Sequence, residues 1–295
     1  ALASTGVAVE VIVVDDASPD DTFEVLKSLA AADPRVVVDR LRQNSGPSAA
    51  RNRAIDRSTG RYIAILDADD TMMAGRLAAL VALADKTGAD IAVDNMLEVA
   101  EAGAAVGGKP FLKSTHFATA RDIDLATWVN FNRPMKGGDC LGYLKPLIRR
   151  AKLDETGIRY DVALRNSEDY YLVARLLAEG ARMTYTPESG YLYQRSAGST
   201  SHRLRAAHTK AWIDAEQRFR ACYAGRFSTE AERALNARGR NLRDVNQFVS
   251  AVDAMRARKP AALASLLASD LRASRYTLAT LAKIAMGKLL RRKLV

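Results

Sequence analysis

Acidic residues cluster at two points of the sequence, each directly after an apolar run. Asp67, Asp69 and Asp70 follow "YIAIL", and Asp15 and Asp16 follow "VIVV". Three carboxylates within four positions repel one another, so a bound cation would stabilise them. Mg²⁺ takes one or two carboxylates and completes its shell with phosphate oxygens and water. The later cluster therefore predicts a site for a divalent metal and a diphosphate.

A second kind of acid pair, Glu168 and Asp169, follows Ser167 at the start of a helical pattern. Ser167 suits the N-cap position, and acids are favoured in the first turn because a helix N-terminus carries partial positive charge. Capping alone would explain the pair. A carboxylate kept ionised there can also accept a proton from a substrate hydroxyl. On the residues alone, both interpretations stay open.

The segments that carry these acids alternate between strand and helix patterns. Buried strands are predicted at 9–14, 36–38, 61–66 and 90–95. Helices are predicted at 22–32, from the loop at 44 to Gly60, at 72–88 and at 168–178. The segment "MTYTPESGYLYQR" reads as strand, turn, strand, and the sequence beyond His202 is helical in composition. This alternation favours an α/β domain with a largely parallel sheet, whose ligands bind at the carboxyl ends of the strands.

Five segments occur in an order and spacing that resemble a known family. They are "VIVVDDASPDDT", "NSGPSAARNRAI", "YIAILDADD", "NSEDYYLVARLL" and "YLYQRSAGSTS". The set resembles family 2 glycosyltransferases with the GT-A fold, and bacterial exopolysaccharide enzymes of the succinoglycan type most of all. The resemblance covers about residues 7–202. It implies a GT-A type α/β domain at 1–205, followed by a basic, helical C-terminal extension at 206–295.

The resemblance implies a nucleotide-sugar donor, with UDP as the expected nucleotide, and Mg²⁺ or Mn²⁺ as cofactor. It assigns nucleotide binding to Asp15, Asp16, Asn44, Gly46, Arg51, Asp67 and Arg195. It assigns the metal to Asp69, with Asp67 and His202 as further ligands. Without the family motif, Arg51 would be interpreted as a solvated charge on a helix.

The same resemblance gives the acid pair a chemical role. Asp169 would be the base that deprotonates the acceptor hydroxyl, with Glu168 as the alternate. Asp70 stays open between a site role and a helix cap. The family also implies an opening strand and helix that this sequence lacks. We therefore expect either a native start further upstream or a truncated chain whose sheet has lost a central strand.

The positive charge of the chain is concentrated near its end. The net charge is +10, yet residues 201–295 hold 20 Lys and Arg against seven Asp and Glu. Such a region favours an acidic partner, and an anionic membrane surface bound through 271–295 is the expected one. An amphipathic helix is predicted at 276–290, with Leu278 on its apolar side and Thr277 on its polar side. Few aromatics and no recognised motif argue against nucleic acid.

Two distant cysteines predict a reducing compartment, and no apolar run is long enough for a membrane span. The expected location is the cytoplasm, peripheral at the inner face of the bacterial plasma membrane. The leading hypothesis is an inverting, metal-dependent glycosyltransferase acting on a lipid-linked or growing surface saccharide. One rival is a truncated, non-catalytic chain that binds partners or membrane. Another is a metal-dependent nucleotidyltransferase, which would need a Gly-rich, Lys-containing opening loop.

Overall fold

The computed structural model describes residues 1–99, 108–194 and 204–292, with side chains up to residue 286. The chain forms two compact units, the first of residues 1–132 and 138–199 and the second of residues 133–137 and 200–295. The boundary at residue 205 that the sequence suggests stays a prediction. Each unit has its own elements and its own buried core.

The strands of the first unit form two sheets. They are β1 (Val11–Asp15), β2 (Val36–Arg40), β3 (Tyr62–Ala64), β4 (Thr71–Met72), β5 (Ile91–Val99), β6 (Lys109–Pro110), β7 (Arg121–Asp122), β8 (Leu147–Arg149) and β9 (Met183–Gln194). The larger sheet has the order β3-β8-β5-β9-β4, with β6 on β5 and β7 on β9. The long pairings, β1 with β2 and β5 with β9, are parallel, and the short ones are antiparallel. The α/β expectation is confirmed.

Helices of the first unit lie between these strands. They are α1 (Thr22–Ala32), α2 (Pro47–Arg57), α3 (Arg76–Thr87), α4 (Leu125–Asn130), α5 (Arg150–Thr156) and α6 (Glu168–Ala178). The predicted bounds of α1 and α6 are confirmed. The third helix begins later than predicted, because Met72 belongs to β4. Leu77, Leu80 and Ala84 of α3 pack on the sheet and close its core.

The long strand β9 corrects the expectation of two strands joined by a turn. Opposite β5, the pairing passes from Thr186 directly to Ser189, so Pro187 and Glu188 form a bulge within one strand. Pro lacks the N–H that a ladder needs, so a bulge is a compatible place for it. Two residues after the bulge, Gly190 donates its N–H to the buried Asp94 carboxylate at 3.0 Å. This contact holds the strand on the sheet where the turn was expected.

A cavity of about 640 Å³ separates the two sheets of the first unit. Val11–Val14 of β1 line one side, Tyr62 and Ala64 of β3 line the other, and Arg51 and Asp67 line it as well. Within the described residues, β1 pairs with β2 and β3 pairs with β8, and no ladder joins β1 to β3. The cavity therefore opens between two strand edges and reaches the acidic loop that follows β3.

The second unit is built of four described helices, as the composition indicated. They are α7 (Ala206–Cys222), α8 (Thr229–Arg256), α9 (Pro260–Ser269) and α10 (Leu271–Arg292). Ser228 caps α8 by accepting a hydrogen bond from the Ala231 N–H at 3.1 Å. A buried ion pair joins Arg238 of α8 to Glu216 of α7 at 3.1 Å. None of the described helices has the length and hydropathy required to cross a membrane.

Helix α10 packs on α8 through small polar residues as well as through Leu281, and this overturns the predicted sides of Thr277 and Leu278. Thr277 is fully buried, whereas Leu278 is 56% exposed. Ala273 and Ser274 share the buried face, and Ser274 Oγ accepts a hydrogen bond from Gln247 Nε2 at 2.7 Å. Small side chains let the two helices approach closely. The Ser274 hydroxyl has a partner there, whereas the buried Thr277 hydroxyl forms no hydrogen bond with any described residue. Hydropathy alone assigned Thr277 to solvent because it could not show this close contact.

Candidate active site

Asp70 holds the acidic loop in place. Its side chain is buried, Tyr191 Oη donates to Oδ2 at 2.7 Å, and the Gln194 N–H donates to Oδ1 at 2.8 Å. Burial raises the pKa of this carboxyl. The helix-cap interpretation is wrong, because α3 begins only at Arg76 and no side-chain hydrogen bond caps it. Asp70 instead ties the loop after β3 to the end of β9, which fixes where its neighbours point.

Asp67 lies between two cations. Arg51 Nη2 is 2.7 Å from its Oδ1, and Lys145 Nζ is 2.9 Å from its Oδ2. The loop is oriented by the Asp67 N–H, which donates to Tyr191 Oη at 3.1 Å. Burial would raise the pKa of Asp67, but Lys145 and Arg51 outweigh it and hold that pKa below its ordinary value. Asp67 is therefore ionised at neutral pH, with both oxygens paired.

The acid pair at the start of α6 meets the same two cations. Arg51 Nη1 is 2.6 Å from Glu168 Oε1 and 3.6 Å from Asp169 Oδ1. Lys145 Nζ is 3.2 Å from Asp169 Oδ2. Arg51 and Lys145 thus each bridge Asp67 to Asp169, and we call these four side chains the charge ring. The ring joins the acids of two distant sequence motifs, and Arg51 is not the solvated helix charge that its sequence context alone would indicate.

Lys145 is the member of the charge ring that sequence reasoning did not identify. It lies just before β8, and its side chain is only 8% exposed. Burial disfavours an ammonium group, yet the carboxylates of Asp169 and Asp67 raise the pKa of Lys145 above its ordinary value. The available signal was a single Lys within the run "LGYLKPLI". A charged residue between apolar ones is rarely buried unless it is paired.

Glu168 and Asp169 occupy different surroundings, although both stand in the first turn of α6. Burial and the neighbouring Asp169 carboxylate raise the pKa of Glu168, in spite of its short contact with Arg51. Burial and the same carboxylate also raise the pKa of Tyr160, whose ring lies under the Arg51 guanidinium at 5.4 Å. Ser167 takes the N-cap position, as predicted, but its side chain forms no cap hydrogen bond. Asp169 is held by its ion pairs with Lys145 and Arg51 and by a hydrogen bond from the Tyr160 hydroxyl.

The expected nucleotide-binding residues after β1 form a separate loop cluster. Asp16 accepts hydrogen bonds from the N–H groups of Ser45 at 2.7 Å and Gly46 at 2.8 Å. Asn44 Nδ2 donates to the Asp16 carbonyl at 3.3 Å. Gly46 has a φ of +89°, a left-handed backbone conformation that favours glycine. These residues fix the loop before α2, and their nucleotide role stays a prediction.

Asp15 is also used to fix a loop. It is buried, with Arg40 Nε 2.9 Å from its Oδ2 and the Ser18 N–H donating to Oδ1 at 3.2 Å. Its contacts order the turn between β1 and α1. A role in nucleotide binding stays a prediction for Asp15 as well.

Among the expected metal ligands, Asp69 fits the role best. It is exposed, and its carboxylate forms no hydrogen bond or ion pair with any residue that the structure describes. Its neighbours Ala68 and Asp70 line the cavity between the sheets. No cluster of three or more His, Cys, Asp or Glu in the described ranges is arranged to hold a metal. Of the remaining predicted site residues, Arg195 and His202 lie outside the described residues.

A single free carboxylate is compatible with Mg²⁺ or Mn²⁺, since such ions take one or two carboxylates and fill their shells with phosphate and water. Asp67 offers no free oxygen as it stands, because Arg51 and Lys145 occupy both. Together, the charge ring and Asp69 supply carboxylates from one loop and one helix end and two cations that pair with them. This set of groups can activate a hydroxyl and hold a phosphorylated ligand.

Comparison with known proteins supports the same interpretation. The family model for "Glycosyl transferase family 2" matches residues 1–150, which is more than half of the 295-residue chain. The chain belongs to glycosyl transferase family 2. The resemblance drawn from the five motifs is thereby confirmed, and the protein is a glycosyltransferase.

Two curated relatives from Rhizobium meliloti (strain 1021) are similar over most of this glycosyltransferase. Succinoglycan biosynthesis protein ExoO is 37% identical over 258 residues, which are 88% of this chain and 72% of the relative. Succinoglycan biosynthesis protein ExoU is 40% identical over 244 residues, which are 80% of this chain and 68% of the relative.

Solved structures show the fold of this glycosyltransferase. TarS residues 1–349 from S. aureus in complex with UDP-GlcNAc has a TM-score of 0.58 at 17% identity, over 91% of this chain and 85% of that one. The mannosyltransferase PcManGT from Pyrobaculum calidifontis, in complex with GDP-Man and Mn²⁺, has a TM-score of 0.56 at 19% identity, over 96% and 73%. The expected GT-A type fold with C-terminal helices is confirmed.

Proposed function

We propose that this glycosyltransferase moves a sugar from a UDP-sugar to a hydroxyl of a lipid-linked or growing surface polysaccharide, with inversion at the anomeric carbon. The observation that carries the proposal is the charge ring, which brings the loop acid Asp67 and the helix acid Asp169 to the same two cations. The names of the relatives ExoO and ExoU support a polysaccharide acceptor. The nucleotide sugars bound to TarS and PcManGT support the donor class.

In the proposed reaction Asp169 takes the proton of the acceptor hydroxyl. The acceptor oxygen forms a bond to the anomeric carbon from the face opposite the nucleotide. The bond from that carbon to the phosphate oxygen breaks, and the nucleoside diphosphate leaves with the electron pair. Arg51 and Lys145 hold Asp67 and Asp169 at a fixed spacing meanwhile. Such positioning contributes to rate because it removes the need to order the groups during the reaction.

A divalent ion bound at Asp69 would offset the negative charge that develops on the leaving diphosphate. The residue also stays free for that purpose, since it has no other partner in the described part of the chain. We propose Mg²⁺ or Mn²⁺ as this ion. Asp67, Arg195 and His202 would complete the contacts to ribose, phosphate and metal, as the family resemblance implies.

Replacement of Asp69 by Asn should remove metal-dependent UDP binding. Mutation of a residue that only contacts a metal ligand typically lowers metal affinity or activity by roughly 10–100-fold. Loss of the direct ligand Asp69 should therefore lower metal-dependent UDP affinity by more than about tenfold. Calorimetry of UDP binding with and without Mn²⁺ measures the effect. Asp21→Asn is the matched control, because Asp21 is an exposed acid of the loop after β1. Unchanged binding in Asp69→Asn would remove Asp69 as the ligand. No UDP binding by folded wild type would favour the non-catalytic hypothesis.

We also propose that α10 lies against an anionic membrane surface. Leu271, Leu278 and Met286 are exposed, and their spacing of seven and eight residues places them on one face with Arg275. An apolar face flanked by basic residues is typical of an interfacial helix. A lipid-linked acceptor would make such attachment useful.

The double substitution Leu278→Gln and Met286→Gln should weaken binding to anionic liposomes by about tenfold or more, because each buried apolar side chain contributes roughly 1.5–3 kcal/mol. Both residues are exposed, so the fold should tolerate the change. Co-sedimentation with vesicles measures it. Met255→Gln is the control, because Met255 is an exposed methionine near the end of α8. Equal binding by both variants would argue against the membrane contact.

A further inference from the structure

Lys145 is fixed at both of its ends. Its ammonium contacts Asp67 and Asp169, and its carbonyl accepts a hydrogen bond from Arg76 Nη2. Arg76 is itself buried and held by Asp94, with Nη2 2.8 Å from Oδ1 and Nε 3.0 Å from Oδ2. A flexible Lys side chain would normally lose much by being immobilised. Here both the carbonyl and the ammonium group of Lys145 have fixed partners, so its side chain can hold the carboxylates that it contacts in fixed positions.

The two acids of the charge ring differ in how close their cations lie. Asp67 has two cations within hydrogen-bond distance, and Asp169 has one. Arg51 lies 2.7 Å from Asp67 but 3.6 Å from Asp169, beyond hydrogen-bond range. Lys145 lies 3.2 Å from Asp169 and forms a hydrogen bond with it. If Lys145 were lost, Asp67 would keep its close contact with Arg51. Asp169 would keep its longer contact with Arg51 and a hydrogen bond from the Tyr160 hydroxyl, but no close cation. Lys145 is therefore the cation closest to the Asp169 carboxylate and the one that forms a hydrogen bond with it.

We propose that Lys145 is a positioning residue of the transfer reaction, holding the Asp169 carboxylate in place relative to Asp67. The inference rests on the proposed function, in which Asp169 takes the proton of the acceptor hydroxyl. Lys145 acts through Asp169 and not on the sugar. Charge neutralisation alone is a weak reason to bury a Lys, because well-packed apolar residues often replace buried ion pairs without loss of stability.

Lys145→Met should lower kcat for UDP release by about 100-fold, since a displacement near 1 Å can have this effect. UDP affinity in the presence of Mn²⁺ should change by less than about threefold, because Asp67 keeps Arg51. Lys145→Arg should restore at least a tenth of wild-type kcat. The donor is whichever of UDP-glucose, UDP-galactose and UDP-GlcNAc wild type turns over fastest. Two results would overturn the positioning role of Lys145. One is a kcat of Lys145→Met within threefold of wild type, and the other is a loss in UDP affinity as large as the loss in kcat.

A double-mutant cycle with Asp169→Asn covers the case in which Lys145→Met does not fold. The double variant removes one cation and one anion together, so it avoids an uncompensated buried charge. If Lys145 acts through Asp169, adding Lys145→Met to Asp169→Asn should change kcat by less than about threefold. A further drop of more than tenfold would contradict it. If wild type releases no UDP from any of the three donors, the proposed function itself is wrong. If wild type is active and Lys145→Met is equally active, only the positioning role of Lys145 is wrong.

Discussion

Replacing Asp169 by Asn is expected to lower sugar transfer by about 10²–10⁴-fold, the usual contribution of a general base. UDP binding should stay within about threefold of wild type, since Asp169 contacts the acceptor side of the proposed reaction. The amide keeps the shape of the side chain but cannot accept the proton in the same way. Release of UDP from the best UDP-sugar measures turnover, and calorimetry measures UDP affinity. Normal turnover in this variant would remove Asp169 as the base.

Glu168→Gln is the matched comparison, because Glu168 is the adjacent acid of the same helical turn. Its carboxylate is held by Arg51 at 2.6 Å, and burial raises its pKa. We expect this variant to lose less than about tenfold in turnover, since Glu168 serves mainly to hold Arg51. A large loss in Glu168→Gln together with near-normal Asp169→Asn would reverse the two assignments.

Sequence reasoning located the acids well because their signals are local. An apolar run followed by clustered carboxylates marks the end of a buried strand, and acids before an apolar period mark the start of a helix. These local patterns are sufficient to place Asp67 after β3 and Asp169 at the start of α6. The charge ring could not be predicted, because Lys145 comes from a third segment and only folding brings it between the two acids.

The expectations for Asp70 and Thr277 differ from the structure for the same physical reason. The sequence left Asp70 open between a site role and a helix cap, yet its partners Tyr191 and Gln194 lie on a strand more than a hundred residues away. Thr277 reads as a solvent-facing residue, yet the close approach of α8 buries it completely. In both cases a tertiary contact overrides the local pattern. The bounds of α1 and α6 were predicted correctly because their signals are local, with acids in the first turn of each helix.

Arg51 should be the most sensitive residue of the ring for stability. Its guanidinium faces Asp67, Glu168 and Asp169, and it is 19% exposed. Removing one partner of a buried ion pair costs about 3–5 kcal/mol, because the remaining charges are left uncompensated. Arg51→Met should therefore lower the free energy of unfolding of the first unit by about 3 kcal/mol at pH 7. Hydrogen exchange of the α2 and α6 amides in increasing urea measures the free energy of unfolding of the first unit separately from that of the second.

The cost of Arg51→Met should depend on pH in a defined direction. The pKa of Asp67 is lowered in the folded wild type, so its ion pairs contribute stability at neutral pH that is lost as pH falls through that pKa. Glu168 contributes in the opposite direction. Its pKa is raised in the folded state, so its contribution to stability is present at low pH and is lost as pH rises through that pKa. Without Arg51, the repulsion among the ionised acids is no longer offset by its positive charge, and protonation of Asp67 and Glu168 at low pH relieves that repulsion. The difference between wild type and variant should therefore be largest near pH 7 and shrink towards about pH 4.

Arg53→Met is the matched control for this prediction. Arg53 lies on the same helix, and its Nε is 2.6 Å from Asp39, but its side chain is 48% exposed. Exposed ion pairs contribute about 0–1 kcal/mol and are weakened by salt. We expect Arg53→Met to have a small effect that added salt removes, whereas the effect of Arg51→Met should persist. Equal losses in the two variants would mean that the ring acts as an ordinary surface network, and Asp67 and Asp169 would then need another explanation for their fixed spacing.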